Sequence, residues 1–190
     1  IGAPLSGYRA RSGVANGTHD PLYSRAVAIE GPADAVVLIS VDVLALSASF
    51  VSEIRRHISE VTAVPYSHIV IAATHTHSGP HTIQTFFNAD VPLDAGYMSF
   101  LSMAIVHSGV DAWQMRKEAR IGTGSCDVTA IGVNRRDPQQ GKVDRRAGII
   151  RIDQTDGSPM AAIVIYGCHP TVLGVNNLLI TGDFPSATIA

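Results

Sequence analysis

The sequence lacks an excess of charge of either sign, which argues against binding modes that depend on charge. Its 14 lysine and arginine residues are nearly balanced by 16 aspartate and glutamate residues, so the formal net charge is -2. A surface that binds nucleic acid or acidic lipid needs clustered positive charge, and the sequence contains no such cluster. We therefore expect no nucleic-acid partner.

Cysteines and long apolar runs are also scarce. The two cysteines, Cys126 and Cys168, are too few for a disulfide-built scaffold and are compatible with one bridge or with two free thiols. The longest apolar run, AVVLISVDVLAL, is interrupted by Asp42 and is too short to cross a bilayer. The opening residues 1–13 do not resemble a signal peptide. The sequence predicts no transmembrane segment and leaves secreted, periplasmic and cytoplasmic locations open.

The sequence does contain enough apolar residues to form a hydrophobic core. Hydrophobic residues make up 46% and charged residues 16% of 190 positions, which predicts one domain spanning residues 1–190. The first residue is not methionine, and the chain stops at GDFPSATIA without a closing element. We expect a processed or trimmed start and an end that cuts a longer domain.

Hydrophobic periodicity predicts an α/β fold with a mixed β-sheet or sheets flanked by helices in a layered sandwich. A helical stripe of Phe50, Ile54, Ile58 and Val61 predicts a helix over 49–64, capped by Ser47 or Ser49. A second helix is predicted over 95–116. Strands are predicted over 25–31, 35–44, 119–124, 147–153 and 160–167, and in the run IVIAATHTH. The residues 155–158, TDGS, indicate a hairpin.

Two predicted strands end in histidine. His75 and His77 follow IVIAAT, and alternation along an extended strand predicts that both side chains share one face. His169 follows AAIVIYGC. Neutral imidazole is a common zinc ligand, and a sheet holds ligands at its strand ends rigidly. A lone strand-end histidine is more often an ordinary hydrogen-bonded residue. At this point each histidine can therefore be interpreted either as a zinc ligand or as such an ordinary residue.

Several blocks together resemble the N-terminal catalytic domain of the neutral/alkaline non-lysosomal ceramidases. The blocks are THTHSGP, GVNRR, CHPTVLG with NLLITGDFP, and the opening GTHDPLYSRAVAIE. They stand in the family's order across nearly the whole chain. The block CHPT, and HTIQTFF after THTHSGP, favour a shorter bacterial relative over a ceramidase in the narrow sense.

The resemblance implies a zinc-dependent amidohydrolase that cleaves an N-acyl compound, ceramide-like or smaller, by metal-activated water. It implies that His75 and His169 bind zinc, and that a glutamate and a tyrosine from a C-terminal remainder complete the ligand set. It also implies that His77 and Arg135 bind and polarise the substrate carbonyl. We further expect Asp183 or Asp42 to support a metal-bound histidine. For Arg135 the plain alternative is a surface arginine pair, and for each aspartate it is a turn or cap.

The sequence departs from the ceramidases in one respect that concerns the substrate. It has no Gly-Asp-Val-Ser-Pro-like block, whose serine takes part in amide cleavage in that family. An esterase or lactonase on the same scaffold, and a non-catalytic binding domain, are therefore alternatives. Phe86 and Phe87 are candidates for an acyl-chain entrance, with ordinary loop packing as the alternative.

Overall fold

The structure is a computed structural model that describes residues 2–85, 88–129 and 131–190. The chain forms two compact units, one comprising Ile1–Arg116 and Pro170–Ala190 and the other Lys117–His169. The interpretation of 1–190 as a single domain stays a prediction. The entrance predicted at Phe86 and Phe87 lies outside the described residues.

The helices and strands follow the predicted order. In the first unit they are β1 (Gly17–Thr18), β2 (Ser24–Glu30), β3 (Ala35–Val41), α1 (Ala48–Thr62), β4 (Ile69–Ala73), α2 (Ala95–Gln114), β8 (Leu179–Ile180) and α3 (Phe184–Thr188). The second unit contains β5 (Ala119–Asp127), β6 (Arg146–Gln154) and β7 (Pro159–Tyr166).

The first unit is organised by a mixed sheet with the order β2-β3-β4. Strand β3 is antiparallel to β2 and parallel to β4. It is central because its β-branched residues fit a buried pleated surface, and Val37, Ile39 and Val41 are fully buried on one face. Helix α2 packs on β2 and β3, and helix α1 packs on β4 and on α2. The core of this unit therefore lies between the sheet and the two helices.

Helix α1 begins where its predicted cap places it and ends at Thr62, two residues before its predicted end. The hydroxyl of Ser47 accepts a hydrogen bond from the Phe50 N–H, and the C-cap residue Ala63 has the left-handed conformation. Its buried residues are Ile54, Ile58 and Thr62. The predicted inward position of Val61 is wrong, because the stripe advances by four residues at its last step and leaves Val61 63% exposed.

The second unit is an antiparallel sheet with the order β5-β6-β7. The predicted hairpin joins β6 to β7, with Gly157 at a φ of 89° and Asp156 accepting a hydrogen bond from the Ser158 N–H. Strand β5 extends to Asp127, three residues beyond its predicted end. The predicted α/β class with mixed sheets and flanking helices is confirmed.

A short parallel pairing of β1 with β8 was not predicted, since residues before 20 were expected to form a surface loop. Strands of two residues carry too little periodicity to be detected in a sequence. None of the described helices is both long enough and apolar enough to cross a membrane.

A buried ion pair joins the beginning of β2 to the residue after β3. The side chain of Asp42 is 0% exposed, and its Oδ2 accepts hydrogen bonds from Arg25 Nη1 at 2.8 Å and from the Tyr23 N–H at 3.0 Å. The Arg25 guanidinium also lies over the Tyr23 ring. A buried carboxylate that loses its cation is costly, so this pair fixes the strand ends near the site.

We expect Arg25→Met to lower the free energy of unfolding by about 2 to 4 kcal/mol, because Asp42 would keep a buried charge without its partner. The matched control is Arg56→Met, which removes an exposed pair with Glu60 and is expected to cost about 0.5 kcal/mol or less. Urea denaturation of both variants measures the difference. Equal losses would contradict the interpretation of Asp42 as a buried, cation-dependent carboxylate.

Candidate metal centre

The segment that carries His75 and His77 is a turn and not a continuation of β4. The strand ends at Ala73, and His75 has a φ of 69°, in the left-handed region that residues with a side chain seldom occupy. The prediction that both histidines share a face of an extended strand is therefore wrong. The N–H groups of Thr74 and His75 donate to the carbonyls of Val41 and Val43 at 2.9 and 3.0 Å. These two bonds hold the turn against the end of β3.

The ring of His75 is oriented by a backbone carbonyl. Its Nδ1 lies 2.7 Å from the carbonyl oxygen of Leu44, an acceptor, so Nδ1 carries the proton. The lone pair of the neutral ring is then on Nε2, which is the arrangement that metal-binding histidines adopt. The carboxylate of Asp42, one of the aspartates expected to support a histidine, pairs with Arg25 instead.

His77 is 8% exposed and lies beside His75, with ring centroids 5.1 Å apart and an angle of 78° between the planes. The ring of Tyr8 contacts His77 edge-on at 4.9 Å. The main chain of His77 is held at both polar groups. Its N–H donates to the carbonyl of Pro170 at 3.4 Å, and its carbonyl accepts from Arg11 Nη1 at 2.7 Å.

The N-terminal segment that surrounds His77 was not among the predicted site residues. Gly7 has a φ of 100°, and a Cβ at this position would lie 2.3 Å from Nδ1 of His77. Arg11 binds the carbonyls of Ser6 and Val175 in addition to that of His77. The Gly-Tyr pair at 7–8 was the available signal, but nothing in the sequence shows that it meets a residue about seventy positions away.

His169 follows β7, which ends at Tyr166, after Gly167 and Cys168, and it precedes Pro170, whose carbonyl accepts a hydrogen bond from the His77 N–H. His75 and His77 belong to the first unit and His169 to the second. An all-imidazole donor set suits zinc among the divalent metals. The structure thus places His75, a predicted metal ligand, beside His77, its predicted neighbour. The pairing of His75 with His169 on one ion stays a prediction.

Asp183 is buried and has a φ of 61°. Its carboxylate accepts hydrogen bonds from the N–H groups of Val172, Leu173 and Phe184, so it caps α3 and binds the segment that follows His169. These contacts give Asp183 a clear role in holding the backbone near the site. Its predicted role in catalysis stays a prediction.

Arg135 is exposed in the segment between β5 and β6. The neighbouring Asn134 shapes this segment, because its Oδ1 accepts from the N–H groups of Arg136 and Asp137 at 3.1 and 3.2 Å. The predicted contact of Arg135 with a substrate carbonyl stays a prediction.

His75 and His77 line a cleft of about 470 Å³ in the first unit. Its walls include apolar side chains such as Leu5, Leu44 and Val91. This volume is typical of sites for small molecules, and apolar walls with a few convergent polar groups are typical of ligand sites. The cleft beside His75 and His77 therefore suits a small ligand with apolar parts.

The fold and the site together define an α/β chain with two adjacent imidazoles, those of His75 and His77, that can contribute to a metal site. The sequence profile of the neutral/alkaline non-lysosomal ceramidases, N-terminal part, matches residues 1–188. The chain belongs to the neutral/alkaline non-lysosomal ceramidase family.

Individual relatives agree with this assignment. The chain is 25% identical to neutral ceramidase A of Dictyostelium discoideum over 198 residues, and 25% identical to neutral ceramidase B of the same organism over 202 residues. Each match covers 94% of this chain and 28% of the relative. The chain thus spans less than a third of the length of these curated relatives.

Solved structures show the same fold. A structure described as a ceramidase complexed with C2 superposes with a TM-score of 0.81 at 22% identity, over 96% of this chain and 31% of that one. Neutral ceramidase from Pseudomonas aeruginosa superposes with a TM-score of 0.80 at 21% identity, over 96% of this chain and 32% of that one.

The loop that contains Asp183 is anchored by a second carboxylate. Asp20 accepts hydrogen bonds from the Thr181 hydroxyl and from the Gly182 N–H. Burial raises the pKa of Asp20, but the hydrogen bonds from Thr181, Gly182 and His19 outweigh it and lower the pKa to about 2. A carboxylate with a lowered pKa stabilises the folded state while it is ionised.

We expect this contribution to be complete above about pH 4 and to be lost as the pH falls towards 2, since the pKa rises from about 2 to the ordinary 3.8 on unfolding. Asp20→Asn should flatten the dependence of the free energy of unfolding on pH in this window. Asp111→Asn, on the exposed side of α2, is the matched control and should keep the wild-type slope. Urea denaturation between pH 2 and 5 measures both, and parallel curves for Asp20→Asn and the wild type would refute the assignment.

Gly7→Ala tests the close approach of the N-terminal segment to His77. We expect a loss of about 2 to 4 kcal/mol, because a left-handed residue with a Cβ costs about 1 kcal/mol and the clash with the His77 ring adds about 1 to 3 kcal/mol. Gly157→Ala is the control, since its φ of 89° is similar and a Cβ there meets nothing within 4 Å. Thermal and urea unfolding measure both variants. If the two substitutions cost the same, Gly7 does not define the position of the His77 ring.

Proposed function

We propose that this chain is part of a zinc-dependent hydrolase that cleaves the amide bond of an N-acyl compound, lipid-like or smaller. The observation that carries the proposal is the pair of adjacent imidazoles of His75 and His77, with ring centroids 5.1 Å apart and Nδ1 of His75 held by the Leu44 carbonyl. Membership of a family of ceramidases supports an amide as the bond that is cleaved, because ceramide is an N-acyl compound.

In this proposal His75 and His169 bind the zinc ion. The Leu44 carbonyl orients the His75 ring so that Nε2 is the ligand atom. The C-terminal remainder of the protein supplies the other ligands, a glutamate and a tyrosine. Zinc in such a site lowers the pKa of water to about 7 and polarises carbonyl groups.

His77 is proposed to bind the substrate carbonyl. Its ring is held by the edge of Tyr8, and its main chain is fixed by Arg11 and Pro170. A donor that is already oriented stabilises the oxyanion of a tetrahedral intermediate without reorganising as the charge develops. His77 is therefore placed in this role rather than as the nucleophile.

Arg135 is proposed as a second donor to that oxyanion. A guanidinium presents several N–H groups in a fixed plane, which suits a developing negative charge on oxygen. Asp183 is proposed to support catalysis from a distance by holding the backbone at 172–173, close in sequence to His169. In this proposal Asp183 affects catalysis only through the position of His169.

The same groups would serve an ester or a lactone, because hydrolysis of all three bonds passes through a tetrahedral intermediate. The amide is preferred here on the family assignment alone. If the whole protein binds no zinc, a non-catalytic binding domain is the alternative.

The test uses the whole protein that contains this chain, purified with zinc. We expect His75→Ala and His169→Ala each to weaken zinc binding by at least about 100-fold, since loss of even a supporting group costs about 10- to 100-fold. His107→Ala on the exposed surface of α2 is the control. Metal analysis after dialysis gives the zinc content, and matched N-acyl amide, ester and lactone substrates give the activity. Unchanged zinc content and unchanged hydrolysis in both variants would contradict a zinc site at His75 and His169. A wild-type protein that hydrolyses none of the substrates would favour the binding-domain alternative.

A further inference from the structure

The cleft that His75 and His77 line contains two arginines. Its lining includes Arg9 and Arg11 together with His75, His77 and His81. No aspartate or glutamate is found among the residues that line it in the described part of the chain. The chain as a whole has a formal net charge of -2. The positive charge is therefore a local property of this cleft.

Arg11 contributes a charge that is fixed in position. Its Nη1 donates to the carbonyls of Ser6 and His77 at 2.9 and 2.7 Å, and its Nε donates to the carbonyl of Val175 at 3.3 Å. The guanidinium also lies 4.7 Å from the centre of the Tyr8 ring. All of these partners are uncharged. Because an arginine remains protonated in proteins, the positive charge persists in the cleft.

Arg9 differs from Arg11 because its guanidinium is exposed. Over the described residues, no hydrogen bond or ion pair is found for its side chain. A charged side chain at the opening of a cleft with low-dielectric walls attracts ligands of opposite charge, because the walls focus its field. Among the described residues, binding of a ligand by Arg9 would break no side-chain hydrogen bond or ion pair.

We propose that the substrate of this cleft carries an anionic oxygen group, such as a carboxylate or a phosphate, which Arg9 binds within the field of Arg11. This inference rests on the proposed function and specifies its substrate class as acidic N-acyl compounds. The anionic group lies at the arginines, the acyl chain lies along apolar walls such as Leu5 and Leu44, and the amide faces His75 and His77. A neutral N-acyl compound offers Arg9 no charged partner.

The alternative is that the two arginines serve only the fold. Arg11 has such a role, since it joins three backbone segments. Arg9 does not, and it is for this reason the residue to substitute. Arg9→Ala removes the proposed anion contact while the hydrogen bonds of Arg11 remain.

The experiment compares N-lauroylglycine, N-lauroyl-O-phosphoethanolamine and the uncharged N-lauroylglycinamide as substrates of the whole zinc-loaded protein. We expect kcat/KM to be higher for the anionic substrates. We expect Arg9→Ala to lower the ratio of anionic to neutral kcat/KM by about 10- to 100-fold, mainly through KM, as expected for loss of a hydrogen bond to a charged group. Arg9→Lys should restore part of the ratio, and Arg56→Ala on α1 is the matched control. Comparison of the carboxylate substrate with the phosphate substrate shows which anionic group the cleft binds better.

A binding measurement separates this inference from the proposed function. Laurate and dodecanol are titrated into the metal-free whole protein, where no hydrolysis is required. Tighter binding of laurate that is weakened about 10-fold or more by Arg9→Ala supports an anion-binding cleft even if no amide is cleaved. If laurate and dodecanol bind alike, or if Arg9→Ala weakens both equally, the inference is wrong whatever the enzyme hydrolyses.

Discussion

The candidate site depends on two hydrogen bonds that hold His75 against the residues directly after β3. Its backbone N–H binds the carbonyl of Val43, and its ring Nδ1 binds the carbonyl of Leu44. The first bond stabilises a left-handed residue that would otherwise be unfavourable by about 1 to 2 kcal/mol. The second selects the tautomer. Both acceptors lie in the bend that directly follows β3, and Val43 is 1% exposed in the core of the first unit.

Around this turn, the first unit uses segments that are far apart in sequence to fix the neighbouring imidazole. The N-terminal segment approaches His77 closely at Gly7, and Arg11 binds the His77 carbonyl. The chain after residue 169 contributes the Pro170 carbonyl and the backbone groups that Asp183 holds. Strained backbone at His75 and Asp183 coincides with the site, as is common where a structure orients functional side chains.

The elements of the fold were largely predictable because they depend on local pattern. Strand β3 and helix α1 show clear periodicity, and Ser47 is a strong capping residue. The histidines of the site were also identified from their positions after apolar strands. The turn at His75 was not predictable, because alternation describes an extended chain and the left-handed residue is imposed by the carbonyls of Val43 and Leu44. Gly7 and the cleft arginines were missed since their partners are brought near only by the folded chain.

The central claim is that His75 and His169 are ligands of one zinc ion. Anomalous diffraction at the zinc absorption edge, from crystals of the whole zinc-loaded protein, tests it directly. The account predicts one anomalous peak at bonding distance, about 2.0 to 2.1 Å, from Nε2 of His75 and from a ring nitrogen of His169. A zinc peak bound elsewhere, with neither of these rings within bonding distance, would contradict it.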